Sequence, residues 1–364
     1  MITNRQILPW SVIVSCLIAF PSYAQTPPAS TAKPDDTPSI RLGATLYADY
    51  TFNAAPETRD ADGNRIHASS FNVTRSYLNI TGNISHLVAF RFTPDIARET
   101  GAGSSLNGSL VFRVKYAFAQ INLDDWLTAG SWTRLGIQQT PWVDFQENIY
   151  RYRFQGTVFS EREGFLSSSD AGASFHYNFP SNYGDVHAGL YNGENYNRFE
   201  VNDQKALQFR GTIRPLANGS PLGRGFRAHV FYNADNYIKG SDRNRLVISG
   251  TLEHRAINAG VEFLAASDRP SISRTKVDAQ GYSFWATPKF PRGVEGLLRF
   301  DHLTPDENLN AHRNRTIAGI AYWFPHQGNV LSALLFDYDH VSTDGFSPAR
   351  PAEKRIAVHG LVAF

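Results

Sequence analysis

Residues 40–53 read Ile-Arg-Leu-Gly-Ala-Thr-Leu-Tyr-Ala-Asp-Tyr-Thr-Phe-Asn, and this stretch decides the fold class. Apolar side chains occupy every second position: Leu42, Ala44, Leu46, Ala48, Tyr50 and Phe52. Successive side chains of a β-strand point to opposite faces of the strand. An alternation held for about a dozen residues therefore predicts a strand with one apolar and one mainly polar face.

The same alternation recurs to the end of the chain and predicts sixteen strands. Their ranges are 40–53, 70–84, 87–96, 109–122, 132–139, 170–179, 185–192, 206–214, 226–236, 244–255, 257–266, 280–288, 293–303, 314–324, 329–340 and 354–364. Strands at such regular spacing are typical of all-β sandwiches and barrels.

The connections between these strands alternate in length, which separates a barrel from a sandwich. The odd connections are long, as at 54–69, 97–108, 140–169, 193–205, 267–279 and 341–353. The even ones are mostly short, as at 85–86, 180–184 and 325–328, although 123–131 and 215–225 are longer and the odd 237–243 is shorter. Bacterial outer-membrane barrels have even strand numbers, short periplasmic turns and long external loops. The sequence thus predicts a 16-stranded antiparallel transmembrane β-barrel over residues 40–364, with both ends in the periplasm.

The N-terminus has the layout of a secretory signal. Arg5 lies in a short polar start, an apolar run extends from Trp10 to Phe20, and small residues stand at Ser22 and Ala24. The apolar run is shorter than the ~20 residues that a spanning helix needs. We therefore expect residues 1–24 to be a cleaved signal peptide and the product to reach the bacterial outer membrane. Residues 25–39, rich in Pro, Ser, Thr and Ala, are expected to form a flexible periplasmic tail.

Cys16 is the single cysteine and lies within the predicted signal. A lipoprotein site at Cys16 is the alternative, but the apolar stretch at 17–20 directly after it argues against lipidation. Without Cys16 the mature chain can form no disulfide and no thiolate metal site. The formal net charge is +2 for the full sequence. A chain this close to neutrality lacks the concentrated basic face of a nucleic-acid binder.

In a water-filled membrane barrel the apolar faces contact lipid and the polar faces line the lumen. Leu46, Phe112, Leu207, Leu252 and Phe300 are accordingly expected to face lipid. The strand residues predicted to line the pore are Arg75, Arg91, Arg113, Lys115, Arg134, Asp170, Arg210, Arg227, Glu295, Arg299 and Asp337. Nine more charged residues are predicted to face the lumen: Arg245, Arg255, Arg355, Asp49, Asp95, Glu253, Glu262, Asp301 and Asp339. The lumen faces together then carry eleven basic and nine acidic residues, which favours a mild preference for anions. Basic residues dominate strands two to five and eight to ten, and acidic residues dominate strands thirteen and fifteen. This distribution predicts a transverse field across the pore; the alternative is that the charges only keep the pore wall hydrated.

The third external loop, 140–169, is the longest connection and is rich in aromatic residues. A loop of this length is uncommon unless it is functional or disordered, and its aromatic content argues against disorder. We expect it to fold into the barrel, where Arg151, Arg153, Glu161, Arg162 and Glu163 would form a constriction. Packing on the barrel rim is the alternative.

The last strand carries Ile356, Val358, Val362 and Phe364 on one face. Phe364 ends the chain, and a terminal aromatic residue on an alternating strand looks like the signal that the outer-membrane assembly machinery reads. Phe364 is therefore predicted to be an assembly signal.

Four short motifs resemble the phosphate-selective porin family, the O and P type. They are Gly136-Ile-Gln-Gln-Thr-Pro141, Glu161-Arg162, Ser169-Asp-Ala-Gly172 and Leu190-Tyr-Asn-Gly193. The resemblance covers 40–364 and implies a trimeric channel for passive diffusion of small hydrophilic solutes, with phosphate or other small anions as candidates. Gln139 stands where the family often has lysine, so the lysine cluster that would select phosphate is not evident.

Two other functions are alternatives to a channel. A barrel hydrolase needs a nucleophile beside a base, and the nearest candidates are Ser85 and His86 in one turn. The chain contains no G-x-S-x-G, H-E-x-x-H or P-loop motif. The second alternative is a structural or adhesin barrel with a plugged lumen, which the many lumen charges disfavour.

Residues 60–64 resemble the start of a calcium loop, but Phe71 stands at position twelve, where that loop needs a glutamate. An external polar loop is the better account of this segment. The sequence thus predicts no catalytic residue, no metal and no cofactor.

Overall fold

The computed structural model of the protein describes residues 36–101 and 103–364. The predicted signal peptide, Cys16 and most of the predicted tail lie outside the described residues, so these assignments stay predictions.

Sixteen antiparallel strands form one closed barrel, and each predicted strand is confirmed. They are β1 (Ser39–Ala55), β2 (Ser69–Asn83), β3 (Val88–Arg98), β4 (Leu110–Asn122), β5 (Trp132–Gln139), β6 (Ser169–Asn178), β7 (Gly184–Tyr191), β8 (Ala206–Ile213), β9 (Phe226–Ala234), β10 (Ser241–Glu253), β11 (Ile257–Asp268), β12 (Val277–Pro288), β13 (Val294–Thr304), β14 (His312–Trp323), β15 (Leu331–Asp344) and β16 (Glu353–Ala363). Each strand pairs with its sequence neighbours. The ring closes where β1 pairs with β16 in a register that sets Leu46 opposite Val362.

Short elements decorate the connections. A two-stranded hairpin, Thr58–Arg59 with Arg65–Ile66, lies between β1 and β2, and Asn236–Ile238 pairs with the start of β10. The helices are α1 (Val143–Tyr150), α2 (Phe159–Arg162) and α3 (Pro221–Gly225), and the 3-10 turns are Pro180–Asn182 and Pro291–Gly293. Within 36–101 and 103–364, no helix has the length and apolar character needed to cross a membrane.

The outer surface of the barrel is apolar, as the alternation predicts. Phe336 in β15 pairs with Ile320 in β14 and Val358 in β16, and all three side chains are exposed on the outside. The five predicted lipid-facing residues divide into two groups. Leu46, Phe112 and Leu207 are exposed, whereas Leu252 and Phe300 are half-buried in a shallow apolar groove on the same surface.

The hydrophobic core lies inside the barrel, against one half of its wall. Its wall residues, all fully buried, are Phe231, Val247, Leu264, Leu297, Ile317 and Leu335. They stand on β9–β11 and β13–β15 and contact aromatic residues of the connection between β5 and β6. The expectation of a polar inner wall on every strand is therefore wrong for this half. Apolar side chains are favourable at these positions because the connection between β5 and β6, rather than water, covers them.

Candidate functional site: a cation-lined passage beside the inner loop

Residues 140–168, which connect β5 to β6, form the inner loop. Trp142, Tyr150, Tyr152 and Phe159 of this loop are fully buried within the barrel. Helix α1 ends at Tyr150; its C-cap, Arg151, has a left-handed backbone (φ 68°) and donates its N–H to the Glu147 carbonyl at 2.8 Å. Because the aromatic residues are buried inside the barrel, the predicted inward fold of the loop is confirmed.

Side chains on the covered wall hold the inner loop in place. Glu295 of β13 accepts hydrogen bonds from Arg151 at 3.2 Å and from the Tyr152 hydroxyl at 3.0 Å. Asp337 of β15 accepts one from Gln155 at 2.8 Å. Such contacts to ionised groups are among the stronger hydrogen bonds, because the charge strengthens them in a dry interior. The loop is therefore fixed to the wall rather than free in the lumen.

Two other carboxylates of this wall, on β13 and β15, are held in ion pairs. Asp301 pairs with Arg299 at 2.8 Å. Asp339 pairs with Arg315 at 3.0 Å and Arg355 at 2.9 Å. The acidic residues of strands thirteen and fifteen therefore lie under the loop or in ion pairs, so they cannot supply the negative side of the expected field.

An open cavity of about 440 Å³ lies between the inner loop and the wall formed by β1–β4. Its wall side includes Tyr47, Tyr77, Asn79, Arg91, Thr93, Lys115 and Tyr116, and its loop side includes Asp144, Glu147, Asn148, Arg151, Arg153 and Phe154. We call this cavity the passage. Cations prevail on its wall, and the carboxylates that face them belong to the loop.

Two cations of the passage wall have no acidic partner, and Arg134 is a third farther along the wall. Arg91 donates to Asn79 at 2.9 Å and Thr93 at 3.0 Å, while Lys115 contacts the Tyr77 hydroxyl at 3.5 Å. Arg134 donates to Gln120 at 2.7 Å and to Gln139 at 3.1 Å. Among the described residues, no carboxylate forms an ion pair with Arg91, Lys115 or Arg134. Their charges are therefore not neutralised by a carboxylate in contact with them.

A β-bulge at Lys115 places two adjacent residues of β4 in the passage. Thr93 pairs with Tyr116 and Pro94 with Val114, which leaves Lys115 as the extra residue of β4. A bulge breaks the strict alternation of faces. Lys115 and Tyr116 consequently both line the passage, although they are adjacent in sequence.

Three further cavities are lined by basic residues of the barrel. One of about 310 Å³ continues along the wall past Arg41, Arg91 and Arg134. At the end with the short connections, a cavity of about 570 Å³ is lined by basic residues and one carboxylate: Arg151, Arg224, Arg255, Lys289 and Glu253. Partial burial, followed by repulsion from Arg151, lowers the pKa of Lys289 in this turn. At the opposite end, a cavity of about 610 Å³ is lined by Arg315, Arg350, Lys354 and Arg355 together with Asp339 and Glu353.

The remaining predicted site residues lie in other environments. Arg75 and Arg113 share the fully buried Asp95, at 2.8 and 2.9 Å. Arg153 pairs with Glu147 at 2.7 Å on the passage side of the loop. Glu161 and Arg162 bond within the loop, to Ser168 and Gln155, and do not line the passage. Elsewhere, Asp170 binds the Gly193 N–H, Arg210 pairs with Asp185 and donates to the Pro141 carbonyl, and Arg227 pairs with Glu253.

Most residues of the passage were not among the sequence candidates, and they include Tyr47, Tyr77, Tyr116, Asp144 and Glu147. Tyr47 and Tyr77 are aromatic residues on strand faces that are otherwise polar, and this placement could have identified them as site residues. Asp144 and Glu147 belong to a loop with many charged residues. The sequence does not show which of these charges face the wall, because that depends on the path of the loop.

Ser85 and His86 are not arranged as a nucleophile and base. The His86 Nδ1 lies 2.6 Å from Asp36 and its Nε2 lies 3.1 Å from Asp125, so both ring nitrogens contact carboxylates. The Ser85 hydroxyl accepts from the N–H groups of Leu87 and Val88. Hydrogen bonding to Asp36 raises the pKa of His86. This cluster ties the segment before β1 to two short connections.

The Asp60 carboxylate is used within its own turn. It accepts hydrogen bonds from the N–H groups of Asp62 and Asn64 and from the Asn64 side chain, which lower the pKa of Asp60. In the part of the chain that the structure describes, no group of three or more His, Cys, Asp or Glu side chains is placed to hold a metal.

The barrel has the fold of porin-like outer-membrane proteins. An anion-selective porin from Comamonas acidovorans superposes with a TM-score of 0.62 over 90% of this chain and 100% of that chain, at 11% identity. OmpF of Salmonella typhi, in complex with daunomycin, gives 0.59 over 89% and 97%, at 10% identity. A trimer form of OmpT, an outer membrane protein of Vibrio cholerae, gives 0.58 over 90% and 100%, at 12% identity.

No protein-family model matches the chain, and no curated protein matches it. At these identities the structural likeness establishes the fold. The narrower resemblance to phosphate-selective porins stays a prediction.

Proposed function

We propose that this protein is an outer-membrane porin, a water-filled channel through which small hydrophilic solutes diffuse passively and anions pass more readily than cations. The observation that carries the proposal is the passage, an open cavity inside a closed barrel whose wall presents Arg91 and Lys115 without acidic partners. In a structural barrel with a plugged lumen, a wall with unpaired cations would serve no purpose.

The size of the barrel supports a channel. Small barrels of about eight strands are filled by side chains, whereas barrels of 16–18 strands leave an aqueous lumen. Here the inner loop packs on β9–β11 and β13–β15, and cavities remain between the loop and β1–β5.

The distribution of charge supports a mild preference for anions. Unpaired cations line the passage and basic residues line the cavities at both ends, and low-dielectric walls focus their field onto the route between them. Asp144 and Glu147 on the loop oppose this field. The preference should therefore be moderate rather than absolute.

The predicted topology and assembly complete the proposal. The long connections are external and the short ones periplasmic, residues 1–24 direct export, and Phe364 is the assembly signal. The chain forms a homotrimer, as the trimeric OmpT relative does. It acts as a channel and not as an enzyme; the occupied ring nitrogens of His86 support this part of the proposal.

Single-channel recording tests the proposed function. Purified protein added to a planar lipid bilayer should produce stepwise, voltage-independent conductance, with three equal steps for each inserted trimer. Heat-unfolded protein is the control. A folded protein that inserts without conductance would overturn the channel and favour the plugged barrel, and hydrolysis of lipid or peptide substrates by that protein would favour the enzyme.

A further inference from the structure

We infer that the passage, if it conducts as proposed above, is selective for aromatic monocarboxylates. Their carboxylate contacts Lys115, with Arg91 adding to the positive potential, and their ring lies among Tyr47, Tyr77 and Phe154. This inference rests on the proposed function and specifies its solute.

The first step is the state of Lys115. Its side chain is only 5% exposed, and its Nζ lies 4.9 Å from the Tyr77 ring centre and 5.3 Å from that of Tyr116. A cation so withdrawn from water is costly unless an anion accompanies it. The aromatic faces compensate in part, and an entering carboxylate would complete the compensation.

Arg91 adds a second positive charge to the cavity. Its guanidinium carbon lies 4.4 Å from the Tyr116 ring centre, so Arg91 and Lys115 both contact this ring and both line one cavity. The combined potential of the two cations attracts an anion toward Lys115.

The second step is the apolar part of the passage. Tyr47 contacts Tyr77 edge to face at 6.0 Å and Phe154 at 6.4 Å, and Phe154 contacts Trp323 edge to face at 5.9 Å. These rings follow one another along the cavity. Aromatic rings favour offset and edge-to-face contact with a further ring. The volume of about 440 Å³ falls within the roughly 300–1,000 Å³ typical of small-molecule sites.

The third step is the sign and number of charges. Asp144 and Glu147 face the cations from the loop, while Arg153 and Arg151 are paired with Glu147 and Glu295. A solute with a second carboxylate would bring that group toward Asp144 and Glu147. Like charges at close range disfavour such a solute. The arrangement thus favours one negative charge on a planar apolar body.

Current block in a planar bilayer tests this inference. Benzoate, cyclohexanecarboxylate, acetate and phosphate are titrated separately at about 0.1 M KCl, where screening still leaves the wall cations effective. We expect benzoate to half-block the chloride current at a concentration about tenfold below those of the other three, the factor that a buried aromatic contact provides. Equal half-blocking concentrations for benzoate, cyclohexanecarboxylate and acetate, or the lowest value for phosphate, would overturn the inference.

Three variants assign the effect to its residues. Lys115→Gln should raise the half-blocking concentration of benzoate about tenfold, and Tyr47→Leu should remove the preference for benzoate over cyclohexanecarboxylate. Lys239→Gln, on an exposed connection, is the matched control and should change nothing. Chloride conductance in each variant verifies a folded channel. Unchanged benzoate block in Lys115→Gln would overturn the inference, whereas absence of chloride conductance in the unsubstituted protein would instead refute the porin.

Discussion

Replacing Phe336 by arginine should destabilise the barrel far more than the same replacement at Phe112. Phe336 stands near the middle of β15, 56% exposed, between the outward-facing Ile320 and Val358. Phe112 is equally outward-facing, at 64% exposed, but lies next to the start of β4 and its long connection. Arginine on the lipid face costs ~2–4 kcal/mol at the midplane and ~0–1 kcal/mol near an interface.

Urea unfolding of protein refolded into lipid vesicles measures this difference. Both variants lose a phenylalanine and gain an arginine, so the comparison isolates depth in the membrane. With a slope of about 3 kcal/mol per M, the unfolding midpoint of Phe336→Arg should fall by roughly 1 M, and that of Phe112→Arg by much less. Equal midpoints for the two variants, or an unchanged midpoint for Phe336→Arg, would refute the assigned face and depth.

Three further predictions follow from the same structure. Deleting 145–159 should raise single-channel conductance because this segment packs inside the barrel; unchanged conductance would place it outside the current path. Because Asp36 raises the pKa of His86, their contact should stabilise below the ordinary pKa of ~6.5 and weaken as pH rises through the raised value. In an NMR titration of the ring, Asp36→Asn should lower that pKa, and an unaltered titration would argue against the contact. A protease site inserted beside Asp62 should be cut on intact cells; cleavage instead at a site inserted in 180–184 would invert the topology.

The strands could be predicted because the physical cause of their pattern is local. One face of each strand contacts an apolar environment, so apolar and polar residues alternate along the strand. This alternation in the sequence indicates the fold directly. The inner loop was likewise predictable, since its buried aromatic residues appear as an unusual composition. The ends of the strands were harder to predict than the strands themselves. For example, β15 extends to Asp344, because its strand pairing continues into a polar segment.

The passage could be predicted only in part, because its charges depend on contacts between distant residues. Arg113 and Arg91 look alike in sequence, but the strand register sets Asp95 opposite Arg113. Arg151 and Glu295 are separated by 144 positions, and no local pattern announces their contact. The bulge at Lys115 adds a third effect, since it shifts the alternation on which any assignment of faces relies.

Loss of anion preference on removal of the wall cations would show that the passage carries current. Reversal potential across a KCl gradient is the most direct measurement, made on the unsubstituted protein and on the double variant Arg91→Gln, Lys115→Gln. We predict a reversal potential whose sign shows that chloride is more permeant than potassium. This potential should move toward zero in the double variant. It should also move toward zero at about 1 M salt, where the Debye length shrinks to ~3 Å. A cation-selective potential, or one that the double variant leaves unchanged, would contradict the account.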